Sequence, residues 1–342
     1  MVRSFRIIFI AVFSLLVVVI GIDAATASDS TVFYKKPVLV LSGIAGDRPG
    51  EFGTVGKGDG MGPMDFLVDP DNNIWVMDVM NRRVQKFDRN GKFLLEYPNK
   101  NIKNSIELTS RYIECTHSGD IIIGPISDGE MVILNNNGEY QRTITLPDVR
   151  NEEFDFTVNN LNEIIYPRGK DSVVVDMNGK IVHVAKDQLG VGGDSSSPYT
   201  TKVVYDSGNS TQTIINSSLR DIGADSIIIK NDQLDTGVKD YAGKFILFVD
   251  PFNNLFVKTM VNQPNSEVVS YNDVNGRLIK ALKKSEVHNG WGYKTYHIDK
   301  HGNLYAMEVV RPENAIKGKS LGYGENLLKG GKTFVYLWRW DR

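Results

Sequence analysis

Short apolar and polar runs alternate along almost the whole chain, and the apolar runs are brief and rich in β-branched residues. Asp69-Pro70-Asp71-Asn72-Asn73-Ile74-Trp75-Val76 sets the pattern, a polar turn leading into a strand-like run. It returns as Asp250-Pro251-Phe252-Asn253-Asn254-Leu255-Phe256-Val257 and as Asp299-Lys300-His301-Gly302-Asn303-Leu304-Tyr305-Ala306, while Thr116 to Ile122 and Asn159 to Ile165 fit the same template. Four of these turns are followed by a second signal, at Asn90-Gly91, Asn137-Gly138, Asn178-Gly179 and Asn275-Gly276. Asn-Gly between strand-like runs predicts a two-residue type I′ hairpin, because both residues tolerate a positive φ. The pairs lie 47, 41 and 97 residues apart. The widest gap holds two periods, which places a degenerate repeat at Lys202 to Asp206, Thr211 to Ile215 and Ser226 to Lys230.

Four short strands per period predict an all-β fold: a six-bladed β-propeller of four-stranded antiparallel blades over 62–98, 107–147, 153–187, 200–236, 243–283 and 293–342. The last blade has a strand at Thr333 to Trp340 and no hairpin after it. Pro37 to Ser42 is the expected outer strand, so that the N-terminal strand closes the ring by pairing with the last blade. Such closure removes exposed sheet edges. No long amphipathic helix pattern appears after the first residues.

Gly50 to Tyr97 carries Pro63, Asp69-Pro70, Asn73-Ile74-Trp75-Val76, Asp78, Asn81-Arg82-Arg83-Val84, Phe87-Asp88 and Asn90-Gly91, and this stretch resembles an NHL repeat, the unit of six-bladed NHL propellers. The full signature covers the first blade, and the other five resemble it in turns and strand spacing. Arg82 stands where that family usually has His. The resemblance implies that the Asp-Pro-Asx turns and the Asn-Gly hairpins share one face of the disc, and that Arg82 and Arg83 anchor the blade. Function then belongs to the opposite face, at the segments entering each innermost strand and the loops between second and third strands. Propellers of this group include adhesion modules, sensors, scaffolds, RNA binders, lyases and lactonases, so the fold alone does not choose among them.

Composition narrows the choice. The 342 residues carry a formal net charge of −2, which leaves no global basic field for a polyanion and speaks against a nucleic acid partner. Arg3 and Arg6 precede an uncharged apolar run from Ile7 to Ile22, and Ala25-Thr26-Ala27 offers a small-x-small cleavage site. Residues 1–27 are therefore expected to be a secretory signal, with an uncleaved membrane anchor as the alternative, and the protein is expected to be extracytoplasmic, periplasmic or secreted. Residues 28–61 would hold the closing strand and a glycine-rich linker into the propeller at 62–342. Cys115 is the single cysteine, so no intrachain disulfide can form.

Several motifs look chemical and lack the context their chemistry requires. Asp69, Asp71 and Asn73 have the oxygen spacing of a calcium loop, yet Ile74 replaces the glycine and Met80 the bidentate glutamate. Gly318-Lys319-Ser320-Leu321-Gly322 matches a nucleophile elbow, but no histidine follows His301 to complete a triad. The glycines from Gly53 to Gly62 have no strand before and helix after them to make a dinucleotide site. Asn209-Ser210-Thr211 and Asn216-Ser217-Ser218 are glycosylation sequons.

Alignment of the innermost strands on Asp69, Thr116, Asn159, Asp206, Asp250 and Asp299 places Asp65, Arg111, Asp155, Lys202 and Lys294 around the functional mouth. They either line a polar funnel for a small or extended polar ligand, or pair with one another and fill it. Residues between Val310 and Gly331 form a long insertion on the same face, expected to be a lid or docking loop with Arg311, Glu313 and Tyr323 as contacts. The leading reading is a binding or scaffold module for a protein, a glycan or a small polar ligand, without enzymatic activity or a cofactor. The alternative is a metal-assisted lactonase or lyase with an axial calcium or zinc held by Asp65, Asp155, Asn159 and Asp206, against which Arg111 and Lys202 would repel a cation. A membrane enters only through an uncleaved N-terminal segment.

Overall fold

The computed structural model describes residues 38–53, 62–98, 110, 112–126, 129–149, 156–159, 161–169, 171–185, the strands between 200 and 283, 296–310 and 334–341. By its contacts the chain divides into Met1–Phe33 and Tyr34–Arg342, and every described strand belongs to the second unit. Strand β1 is Val38–Ile44. The first sheet follows as β2 (Asp65–Val68), β3 (Ile74–Asp78), β4 (Arg83–Phe87) and β5 (Phe93–Tyr97). The second is β6 (Ile113–Cys115), β7 (Ile121–Ile123), β8 (Glu130–Leu134) and β9 (Tyr140–Thr145). The third is β10 (Thr157–Val158), β11 (Ile164–Arg168), β12 (Asp171–Val175) and β13 (Ile181–Ala185). Among the described residues the fourth sheet has β14 (Thr200–Thr201), β15 (Gln212–Asn216) and β16 (Asp225–Ile229). The fifth is β17 (Tyr241–Val249), β18 (Leu255–Val261), β19 (Glu267–Asn272) and β20 (Leu278–Lys283). The last contains β21 (Tyr296–Ile298), β22 (Leu304–Val310) and β23 (Phe334–Trp340), and its fourth strand is β1.

Neighbouring strands within each sheet are antiparallel and follow chain order, except that β1 lies against β23, with Val38 opposite Arg339 and Ile44 opposite Phe334. The first strands of successive sheets neighbour one another in the order β17, β21, β2, β6, β10. That succession of four-stranded antiparallel sheets is a β-propeller architecture. The degenerate repeat appears as the fourth sheet, with β14 earlier than expected; residues 202–206 lie outside the described residues.

The hairpins differ from expectation. Asn90, Asn137 and Asn178 do not take a positive φ; only Gly91, Gly138 and Gly179 do, at 79°, 77° and 79°. The turn is instead a five-residue unit starting two residues before each of these three Asn-Gly pairs. Gly91 N–H donates to the Asp88 carbonyl and Asp88 N–H to the Lys92 carbonyl, while Asp88 Oδ1 accepts the N–H groups of Asn90 and Lys92. A type I′ turn loses here because the Asx side chain satisfies two backbone donors that a two-residue turn would leave to water. The same unit starts at Asn135 and Asp176 and also builds the first turn of the first, second, third and last sheets, at Asp69, Thr116, Asn159 and Asp299. The two sequence signals are therefore one turn. In an antiparallel meander both kinds fall at the same end of the strands.

That turn sets the outer strands. One residue past each hairpin the register shifts, so Leu94, Gln141, Val182 and Ile279 are bulged out of their ladders. A Cβ on Gly91 would meet the Val40 carbonyl of β1, one on Gly138 the Leu95 side chain of β5, and one on Gly179 the Thr145 carbonyl of β9. Each hairpin thus tucks under the outer strand of the preceding sheet. Between sheets the packing is apolar: Ile122, Ile133, Phe156, Ile164 and Val173 join the second and third, and Trp75, Met77, Ile113, Ile121 and Leu134 join the first and second.

Candidate functional site

The candidate mouth starts where the chain enters each innermost strand. In β2, Phe66 and Val68 point into the core shared with the last sheet and Leu67 into the core shared with the second. Asp65 opens that strand fully buried, with Oδ1 accepting Phe66 N–H at 2.8 Å and Oδ2 accepting Ile113 N–H at 3.0 Å. Its carboxylate therefore ties β2 to β6. Ser110 is also buried and its Oγ accepts Tyr112 N–H at 3.1 Å, shaping the entry to β6.

Asp65 is the one expected funnel residue among the described residues. Arg111, Asp155, Lys202, Lys294 and Asp206 lie outside them, as do Arg311, Glu313 and Tyr323. Asn159 belongs to the turn that follows β10, where Oδ1 accepts Leu161 and Glu163 N–H and Nδ2 donates to Glu163 Oε2 at 2.9 Å. His117 and His301 sit exposed in turns of the second and last sheets. Those turns are linked around their face: Lys300 Nζ donates to the Pro70 carbonyl, Asn136 Nδ2 to Asp71 Oδ2, and His117 N–H to Asn162 Oδ1. Among the described residues, no group of three or more His, Cys, Asp or Glu is arranged to hold a metal.

A second polar cluster lies at the end of the first sheet away from the Asp69 turn, the end at which Asp65 stands. Arg83 and Gln85 are two residues apart on β4, so they share a face, and both are buried beside Asp78 at the end of β3. Arg83 Nε donates to Asp78 Oδ2 at 3.0 Å, Nη1 to Glu96 Oε2 and the Asp47 carbonyl, and Nη2 to the Arg48 and Glu51 carbonyls. All five guanidinium N–H groups are satisfied. Asp78 Oδ1 accepts Gly53 N–H at 2.8 Å, and Asn81 Nδ2 donates to Asp78 Oδ2 and the Gly46 carbonyl. Burial pushes the Asp78 carboxyl above its ordinary value, opposed by Asn81, Arg83 and the Gly53 amide. The anchoring role inferred for Arg83 is thus visible in its contacts; Arg82 caps the short 3-10 turn Val79–Asn81 in the left-handed region, at φ 53°.

A third group rises from the Asp69 turn. Asp69 Oδ2 accepts Trp75 Nε1–H at 3.0 Å, and Lys86 Nζ lies 3.6 Å from the same oxygen and 4.9 Å from the Trp75 ring centroid. The ammonium also donates to Asn136 Oδ1 of the second sheet at 2.9 Å. The last sheet repeats the first part of this plan, with Tyr305 hydroxyl donating to Asp299 Oδ2 at 3.2 Å and Arg339 opposite Tyr305. Sequence reading missed the parts played by Lys86 and Tyr305; for Lys86 the available signal was a charged residue between apolar ones on a buried strand.

With the geometry in place, comparison with known proteins bears on the fold. No protein-family model matches the chain. A stretch of 138 residues is 30% identical to the Protein brain tumor of Drosophila melanogaster, covering 39% of this chain and 13% of that protein. The chain therefore spans about an eighth of that relative. Among solved structures, a candidate exported protein from Bacteroides fragilis superposes with a TM-score of 0.52 at 13% identity, over 92% of this chain and 96% of the other. Virginiamycin B lyase from Staphylococcus aureus gives a TM-score of 0.44 at 13% identity, over 71% of this chain and 76% of that one. At 13% identity the match to the exported protein speaks to architecture alone.

Proposed function

We propose that this chain is an extracytoplasmic NHL-like propeller of six blades, closed by its N-terminal strand, that acts as a binding or scaffold module. The observation that carries the reading is where the described polar chemistry is used. Asp65, Arg83, Asp69 and Lys86 are each buried and engaged with backbone or with a neighbouring sheet. The turn face is likewise committed to contacts between sheets. Recognition then falls to the opposite face, where Arg111, Asp155, Lys202 and Lys294 enter the innermost strands in sequence and the 310–331 insertion adds Arg311, Glu313 and Tyr323. A mixture of both charge signs suits a polar ligand, a glycan or a protein loop. Residues 1–27 support export, and among the described residues no helix is long and apolar enough to cross a membrane.

Thermal-shift titration of the mature protein with neutral and charged oligosaccharides and acidic peptides tests the reading. A stabilising ligand whose effect disappears in Asp155→Ala or Lys202→Ala, with the unliganded melting temperature unchanged, is the expected result. Turnover of a lactone that depends on a stoichiometric metal ion would replace this reading with an enzymatic one.

A further inference from the structure

The segment 38–53 joins two sheets at once. Its first half, β1, completes the last sheet through its ladder with β23. Its second half folds back and is held on the first sheet by main-chain contacts: Asn81 Nδ2 donates to the Gly46 carbonyl, Arg83 to the Asp47, Arg48 and Glu51 carbonyls, and Gln85 Nε2 to the Glu51 carbonyl. In return Gly50 N–H donates to Gln85 Oε1 and Gly53 N–H to Asp78 Oδ1. Between the two halves, Phe52 N–H donates to the Ile44 carbonyl and Gly46 N–H to the Phe52 carbonyl, and the Phe52 ring is fully buried 5.7 Å from Phe87.

We infer that residues 38–53 are a strap that opens and closes as one unit, with Arg83 as the residue that locks it. Three features support the unit. The strap's polar links to the first sheet are made almost wholly by its backbone, so they form or break with its fold rather than residue by residue. Phe52 belongs to the apolar core that Val40 and Leu41 of the strap share with Phe66 and Phe87 of the first sheet and Tyr305 and Leu337 of the last, so its withdrawal takes the strap off both sheets together. Arg83 alone reaches three of the strap carbonyls, and its rigid planar fork can do so where a single ammonium cannot. Local openings span the range up to the global unfolding free energy, and elements held through few apolar side chains lie toward its lower end.

Native-state hydrogen exchange on the full chain tests this. The amides of Leu41, Gly46, Phe52 and Gly53 are expected to exchange through one shared opening, faster than those of Ile165, Tyr166 and Val174 in the third sheet. In Arg83→Lys the strap amides should exchange at least about tenfold faster, the loss of one or more charged hydrogen bonds, and should still exchange faster than those of the third sheet. Asn81→Ala, a milder change that removes one link, should move the same amides in the same direction and leaves the test intact if Arg83→Lys does not fold. Strap amides that exchange only with the third sheet in the wild type, or that keep their wild-type rates in both variants, would overturn the proposal.

Discussion

The junction between the last and first sheets and the junction between the second and third are built on different chemistry. The second meets the third through Tyr112, Ile122, Met131, Ile133, Phe156, Val158 and Ile164, an apolar seam between neighbours in sequence. The last meets the first through an apolar core and, beside it, a buried network of Arg83, Asp78 and Gln85 on the strap backbone. Apolar burial is itself non-directional, whereas hydrogen bonds from the planar guanidinium fork fix direction as well as distance. Pairing Val38 with Arg339 brings together residues about 300 positions apart, at a loop-closure cost that neighbouring hairpins do not bear. The polar network supplies register where chain connectivity does not.

The largest break in this contrast is Arg83→Met, which leaves Asp78 buried without its cation. Loss of one partner of a buried pair costs about 3–5 kcal/mol, to be read from urea unfolding. Adding Asp78→Leu should not restore stability, because the Asp47, Arg48 and Glu51 carbonyls and the Gly53 amide remain without partners. Next comes Gly91→Ala, at a left-handed φ of 79° with the Val40 carbonyl 2.2 Å from the added Cβ. A non-glycine residue in that region costs roughly 1–2 kcal/mol before any clash, and the melting temperature should fall accordingly. In the apolar seam, Tyr166→Phe removes the hydroxyl bond to the Pro147 carbonyl and should cost about 1 kcal/mol.

The smallest effect lies at Asp88. The Lys92 and Asn90 amides hold its carboxyl below the ordinary value. A depressed carboxyl stabilises the fold above the unfolded value and stops doing so as pH falls through the folded one. Asp88→Ala should therefore melt below wild type at neutral pH, with the gap closing below about pH 4. Asp88→Asn keeps an acceptor, as Asn135 and Asn159 do naturally, but loses the charge, and should melt between wild type and Asp88→Ala at neutral pH.

Sequence periodicity disclosed the strand plan and the pairing of a segment near Pro37 with the last strand, because turn residues and alternation mark both. It misread the hairpin type, since Asn-Gly is a strong local signal while the controlling residue, Asp88, Asn135 or Asp176, sits two positions earlier. It singled out Asp65 by counting back from a turn. The same count could not reveal that both carboxylate oxygens are taken up by amides of two different sheets, a contact across 48 residues. The buried network was half legible: Arg83 was recognised as an anchor, but its partners are carbonyls of residues 47, 48 and 51, and backbone acceptors leave no trace in a sequence.

Metal content decides most directly between a binding module and a metal-assisted enzyme. Elemental analysis of the purified mature protein, with thermal unfolding repeated in a chelator, should find no stoichiometric divalent ion and one unchanged melting temperature. One equivalent of calcium or zinc whose removal lowers that temperature would contradict the binding-module account.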